Sequence, residues 1–537
     1  MLTVAVKKLA IFVHRWVGVA FCLLFMWWFV SGIFMMYWGY PEVRQADRLE
    51  RAPVLDAARV KLSPQEAYAG LGMNDGPTSV RLASFDGRPA YHFRMGRGPA
   101  IVYADSGEQQ DIFPPEMMLR TAAAWARLPA ESAKLELLEK QDQWTLQNNL
   151  RDLLPLNKYV FPDGQHVYVS DSTGDVVQYT TTSSRIFAHL GAIPHWLYYT
   201  PLRTNGLLWT RVVVWSSAVA TGAALLGLIV GIWMFSPRQK YRHEGVPTSI
   251  PYKGQKRLHT ILGLTFGVLA MTWAFSGMLS MDPFPELLTG GQVGAQGNVK
   301  GQGKGKGKAA PTPANRLQQA LGAGRFQMAR YQAKHPAEAL AELGAGFEAR
   351  QIEFTMYAGD PVLLASNSKA ETKLVPVEPA GPEQFTADRL LSLVRTTAGE
   401  QNIAEARMLE KYDRYYLDRT GQRPLPVVYV RLNDEANSRF YIDPATARVA
   451  LRYSDSTRSW VNRWLYHGLH SMDLPWLYNY RPAWDIVVLS LMLFCTWLCW
   501  TSMVLSYRVL KRKLAPVRAR RTPSEDLPQA VGQEIQR

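Results

Sequence analysis

The sequence predicts a membrane protein: a bundle of four transmembrane α-helices, built by internal duplication, carrying two α+β domains on one side. Three observations predict it: four apolar stretches long enough to cross a bilayer, Lys and Arg gathered in their short flanks, and motifs that recur in the two halves. The chain has 537 residues and a formal charge of +15, with 47% hydrophobic and 20% charged residues. Residues 1–15, 238–257 and 508–537 hold 17 of the 60 Lys and Arg against only four acids (Glu244, Glu525, Asp526, Glu534), which leaves +2 on all the rest. A nucleic-acid binder needs a basic face on a folded domain. Here the excess flanks apolar segments, so it reports topology, and no nucleic-acid partner is expected. Cys22, Cys495 and Cys499 all lie in apolar runs and read as small buried hydrophobes, not as a disulfide framework.

About 20 apolar residues span a bilayer as a helix. Residues 1–10 precede the first span at 11–38, whose apolar run is too long for a signal peptide and is followed by no small-residue cleavage site. The second span is 207–236, the third 258–281 and the fourth 484–507. The basic residues at the N-terminus, in the 237–257 loop and in the 508–537 tail belong inside. The blocks 39–206 and 282–483 are then outside, and their membrane-flanking ends contact lipid. In the first block, Pro64-Gln65-Glu66-Ala67 opens a helix, and two alternating strands and a turn at Asp105-Ser106-Gly107 follow. Further strand–turn–strand units stand at 166–179 and 439–453, so each block reads as a small α+β domain. The Gly/Lys-rich stretch 289–310 cannot bury a core and reads as a flexible linker.

His14-x3-Gly18 followed by Trp28, Ser31 and Gly32 matches His259-x3-Gly263 followed by Trp273, Ser276 and Gly277, at a constant offset of 245. Leu138-Glu139-Lys140-x-Asp142 matches Leu409-Glu410-Lys411-x-Asp413 at 271. His189-x4-Pro194 matches His470-x4-Pro475 at 281, and Trp196-Leu197-Tyr198 matches Trp476-Leu477-Tyr478 at 280. Two such halves related by an axis along the membrane normal form a pseudo-symmetric four-helix bundle.

That symmetry faces His14 to His259 near the inner ends of the first and third helices, and His189 to His470 just outside the second and fourth. Two facing imidazoles are the usual way to ligate a haem iron axially with no vacant position. From His14 to Met36 is 22 residues, about 33 Å of helix, so the two pairs serve separate irons. His195 and His467 lie in the same outer segments without exact repeat partners, and either replaces or adds to the outer pair. A lone histidine at a helix end more often caps carbonyls or sits at the interface; four positions retained in two diverged copies favour ligation. Trp27, Trp28, Trp273, Trp497 and Trp500 read as interface anchors or core, and His92, His166, His243 and His335 as surface residues.

There is no G-x-S-x-G, no H-E-x-x-H and no phosphate-binding Gly-rich loop between a strand and a helix. The inner segments, at most about 30 residues, are too short for a flavin or nicotinamide domain. Electrons are therefore expected from membrane quinol or a separate reductase.

The His-Arg-Trp-x-Gly opening of the first helix with its Ser31-Gly32 ending resembles the PepSY-associated transmembrane family. So do Ser63-Pro64-x-Glu66-Ala67, Tyr103-Ala104-Asp105-x-Gly107-Glu108 and Tyr168-x-x-Asp171-x-x-Gly174-Asp175. The resemblance covers about residues 8–285 and 350–510 and implies periplasmic PepSY-like domains on a bacterial inner-membrane bundle. Members include ferric-siderophore reductases of the ferrioxamine type, which move electrons through transmembrane b-type haems to siderophore-bound iron. The resemblance implies two haems b, with ligands at His14, His259, His189 and His470 and less secure places for His195 and His467. It also implies a ferric siderophore as substrate; the larger second block and its insert leave open which one. The alternative is a non-redox membrane protein whose domains hold a peptide or protease, or regulate a partner.

Overall fold

Four helices carry the apolar stretches: α1 (Leu2–Met35), α2 (Gly206–Met234), α3 (Gly254–Leu279) and α4 (Ala483–Leu514). Each is long and apolar enough to cross a membrane. The shortest, 26 residues, extends about 39 Å, enough for a hydrocarbon core of about 30 Å. In this computed structural model the described residues are 2–73, 75–96, 98–283, 311–322, 326–379, 385–418 and 421–514. The linker expected at 289–310 and the tail beyond Leu514 lie outside them.

Helix α1 starts at Leu2 instead of residue 11 because Lys7 and Lys8 are good helix formers. The Lys7 ammonium sits 5.6 Å from the centre of the Trp233 ring. Helix α4 continues past residue 507 to Leu514, and Lys511, Arg512 and Lys513 in its last turn complement the helix dipole. The chain falls into two units, with breaks after Met26, Gly222, Val268 and Leu493. One holds the chain up to Met26, Ala223–Val268 and α4 from Phe494 on; the other holds Trp27–Gly222 and Leu269–Leu493.

Within the second unit, the blocks read as separate domains share a sheet. Strand Ser79–Phe85 pairs antiparallel with Gln351–Tyr357, placing Arg81 opposite Glu353, Leu82 opposite Ile352 and Ala83 opposite Gln351. The result is a seven-stranded sheet in the order 372–376, 360–366, 351–357, 79–85, 88–95, 98–103, 109–110. The pairing covers what would otherwise be two exposed strand edges. The hairpin between Ser79–Phe85 and Arg88–Met95 turns on Asp86 and Gly87, with φ of 45° and 74°. A two-residue turn of type I′ needs both in the left-handed region, which an Asp-Gly pair supplies. One sheet face buries Val80, Leu82, Tyr91, Phe93, Val102, Ile352, Phe354 and Leu363 against helices Pro64–Ala69 and Pro336–Leu343. Each large side chain so buried contributes about 1.5–3 kcal/mol.

Two four-stranded sheets complete the soluble part: 134–138, 156–160, 166–170, 176–180 and 403–409, 427–432, 439–442, 449–453. They give the recurring Leu-Glu-Lys-x-Asp motif a physical purpose. Asp142 accepts the Tyr168 hydroxyl (2.9 Å) and the Trp144 N–H (2.9 Å). Asp413 accepts the Tyr441 hydroxyl (2.9 Å) and the Tyr415 N–H (2.8 Å). In each sheet the carboxylate ties the segment after the first strand to the third strand.

Two histidines read as surface residues are drawn inward. His92 lies on the sheet face opposite the core just described, its Nε2 closed off from solvent. His166 is half-buried on the third strand of the first four-stranded sheet, and burial, with Arg185 and Lys158 nearby, pushes its imidazole down to about 4. Unfolded, it titrates near 6.5, so the folded state binds fewer protons below that value. Stability is therefore expected to be intact above pH 6.5 and to fall as pH drops from about 6.5 to about 4. Denaturation midpoints measured at pH 7 and pH 4.5 should lie closer together in His166→Gln than in the wild type; an equal gap would assign the acid sensitivity elsewhere.

Candidate functional site: two histidine pairs

In the first unit, α1 and α3 bring His14 and His259 together with ring centres 6.3 Å apart. The His14 Nδ1 is 3.0 Å from the Ala223 carbonyl on α2. The His259 Nδ1 is 2.9 Å from the Thr501 hydroxyl on α4, with the Leu498 carbonyl beside the same ring. In the second unit His195 and His470 face each other at 5.9 Å. The His195 Nδ1 lies 3.1 Å from the Trp28 carbonyl and 3.2 Å from the Ser31 hydroxyl on α1. The His470 Nδ1 lies 3.1 Å from the Trp273 carbonyl and 3.3 Å from the Ser276 hydroxyl on α3.

The same chemistry operates at all four rings. A carbonyl oxygen only accepts, so where it faces Nδ1 the proton sits there and the lone pair on Nε2. Such a second bond orients a ligating imidazole and raises its basicity. Burial, with His470 alongside, pushes His195 down to about 3, which keeps it neutral. Two imidazoles bound on opposite sides of one metal at about 2.0–2.1 Å hold their ring centres about 6 Å apart. Both observed separations meet that demand. Among the described residues no group of three or more His, Cys, Asp or Glu gathers, so each pair would suit a metal group that brings its remaining donors with it.

Glycines make room for the rings. A Cβ on Gly227 of α2 would lie 2.6 Å from His14 Cε1, one on Gly277 3.2 Å from His470 Cε1, and one on Gly32 3.4 Å from His195 Cε1. Gly18 and Gly263 do not face the imidazoles; a Cβ on either would meet only Ser502 or Leu498 in ordinary contact. Haem b fits these residues: in each pair the Nδ1 atoms are taken up by oxygens, which leaves Nε2 to bind, the ring centres have the separation two imidazoles on one iron would need, and glycines lie beside the rings.

The expected pairing of His189 with His470 is not formed. His189 is exposed on helix Thr182–Leu190, with its Nδ1 2.8 Å from the Arg185 carbonyl and its ring edge-on to Trp144 at 5.2 Å. The second half places Trp464 against Tyr415 in the same way, at 6.1 Å. An offset of 275 relates His189 to Trp464, His195 to His470, and Ala223 to Leu498. The Pro194–Pro475 match misled because those prolines differ in role: one is inside helix Ala192–His195, the other opens helix Pro475–Tyr478. The second half carries five extra residues, 471–475, between His470 and its Trp-Leu-Tyr. His467 faces Asp473 (Nδ1 to Oδ2, 3.6 Å) in that extra segment and Tyr466 at 4.7 Å. It sits in a π-helical stretch, Val461–Gly468, that leads directly into His470. A turn of this kind is common where a side chain must be re-aimed at a functional site.

Four membrane-length helices, sheet-rich domains and two enclosed histidine pairs define a multi-pass membrane protein of the PepSY-associated class. The family described as PepSY-associated TM region matches residues 12–365, about two thirds of the chain, and the chain belongs to it. The match takes in His14, His189, His195 and His259 and ends before His470. No curated protein and no solved structure matches the chain.

Proposed function

We propose that this protein is a transmembrane electron carrier that holds one haem b between His14 and His259 and a second between His195 and His470, and reduces a ferric siderophore outside the cytoplasm. The observation that carries the reading is the pair geometry: two imidazole pairs at 6.3 and 5.9 Å, every Nδ1 turned to an oxygen. Haem b held by two imidazoles supplies one-electron exchange between Fe(III) and Fe(II). The chain's own part would be to hold each haem between two imidazoles, His14 with His259 and His195 with His470, whose Nδ1 contacts keep the rings fixed. One electron delivered to the chelate converts Fe(III) to Fe(II), which hard oxygen donors hold less tightly, so iron is released for uptake.

The basic flanks support a bacterial inner-membrane orientation with both termini and the 237–257 loop cytoplasmic and the sheets periplasmic. The electron donor is then quinol or a separate reductase. The matched contacts at offsets of 245 and 275 support descent from a doubled helix–domain–helix unit, each half with a PepSY-like domain. The test is the visible spectrum of detergent-purified protein from haem-replete cells, oxidised and reduced, with haem quantified per chain. Two low-spin b-type haems per chain are expected, reoxidised by a ferric hydroxamate. A colourless preparation overturns the proposal and favours a peptide- or protease-binding role for the soluble domains.

A further inference from the structure

The seven-stranded sheet carries a row of basic side chains that the electron-transfer reading does not use. Arg81 and His92 are directly opposed on adjacent antiparallel strands, so their side chains share a face with Cβ atoms about 5 Å apart. Arg48, on helix Gln45–Arg51, is within electrostatic reach of both. The His92 Nε2 is sealed from solvent with no hydrogen-bond partner among the described residues. Neither Arg48 nor Arg81 makes a side-chain hydrogen bond or ion pair among the described residues, although both are half-buried.

Acids are close, yet mostly committed elsewhere. Glu353 stands opposite Arg81 in register, but its carboxylate is held by Gln351 (2.8 Å) and Arg448 (2.5 Å). Asp47 caps its own helix through the Arg44 N–H (2.8 Å). Asp175 is the remaining acid that favours the Arg48 charge, and Arg81 opposes it. Burial, then Arg81 and Arg48, hold His92 well below the usual imidazole range. Half-buried guanidiniums without partners are costly, and a sealed imidazole nitrogen without one adds to the cost. An oxygen anion would satisfy both guanidiniums at once, because each offers a fork of donors, while the sealed, neutral His92 ring stands beside Arg81 on the same face.

We propose that Arg48 and Arg81, with His92 beside them on the same face, form a binding site for a small oxygen anion, a carboxylate or a phosphate, on the soluble sheet beside the junction of its two strand sets. The site is independent of haem, so its test is too. Full-length protein in detergent is titrated with citrate in one arm and inorganic phosphate in the other, at constant ionic strength set with chloride, following the thermal midpoint. At least one arm is expected to raise the midpoint saturably, and the arm that acts more strongly identifies the anion class. Arg81→Gln and Arg48→Gln should each weaken that response about tenfold or more, the loss of one charge-assisted contact. In chloride alone both variants should be as stable as the wild type or more so, since a like-charge pair is relieved. No saturable response in either arm overturns the proposal, as does an undiminished response in both variants. A variant that unfolds earlier in chloride alone would also overturn it, by giving that arginine a structural role.

Discussion

His195→Ala and His470→Ala are each expected to purify with one haem per chain instead of two, while His189→Ala keeps both. The first two substitutions would each remove one of the two imidazoles proposed to hold the second haem, whose ring centres are 5.9 Å apart. One imidazole would be left where the proposal needs two. His189 points to the Arg185 carbonyl and packs on Trp144, so its loss costs only a surface contact. Ser276→Ala is the graded control. It deletes the Ser276 hydroxyl at the His470 Nδ1 and leaves the Trp273 carbonyl, and it should weaken haem retention about tenfold, the low end for losing a hydrogen bond that orients a ligating imidazole. Haem per chain and the reduced α-band read all four variants. Loss of haem in His189→Ala, or two intact low-spin haems in His195→Ala, would reverse the assignment.

The residues that were legible in the sequence are those whose signal is local. Twenty apolar residues in a row announce a span whatever surrounds them, and the His14, Trp28, Ser31, Gly32 spacing recurs without a gap because it lies on a single helix. Ser31 and Ser276 then prove to be the hydroxyls that meet His195 and His470, so the repeated serine marks a repeated contact. His189 was misplaced because the aligned segment holds an insertion, 471–475, and only the packing on Trp144 and Tyr415 tells on which side of His470 it falls. The shared sheet had no local signal at all. Strands Ser79–Phe85 and Gln351–Tyr357 are about 270 residues apart in sequence, and each alternates as it would in a sheet of its own. His92 was misread for the same reason: alternation marks the two faces of a strand but not what covers the second one.

Gly227→Ala should empty the His14–His259 site while leaving α2 inserted and the other haem in place. The added Cβ would stand 2.6 Å from His14 Cε1, with Nδ1 and Nε2 both at 3.3 Å, closer than carbon atoms approach without displacement. The ring is tethered through Nδ1 to the Ala223 carbonyl one turn earlier on the same helix, so it cannot yield without giving up that bond. Helix α2 itself gains: Ala is favoured over Gly in a helix interior by about 1 kcal/mol, which separates a site defect from a folding defect. Gly32→Ala provides the contrast at the second pair. There the short contact, 2.6 Å, is to Met492 Cε, the mobile end of a flexible side chain, and His195 Cε1 is 3.4 Å away. That variant should keep both haems with at most a small spectral shift. Electron paramagnetic resonance of the oxidised proteins, resolving the two low-spin signals, is the deciding measurement. One signal lost in Gly227→Ala and both kept in Gly32→Ala is the expected pattern. Two unaltered signals in Gly227→Ala would mean that His14 does not hold an iron in the orientation described.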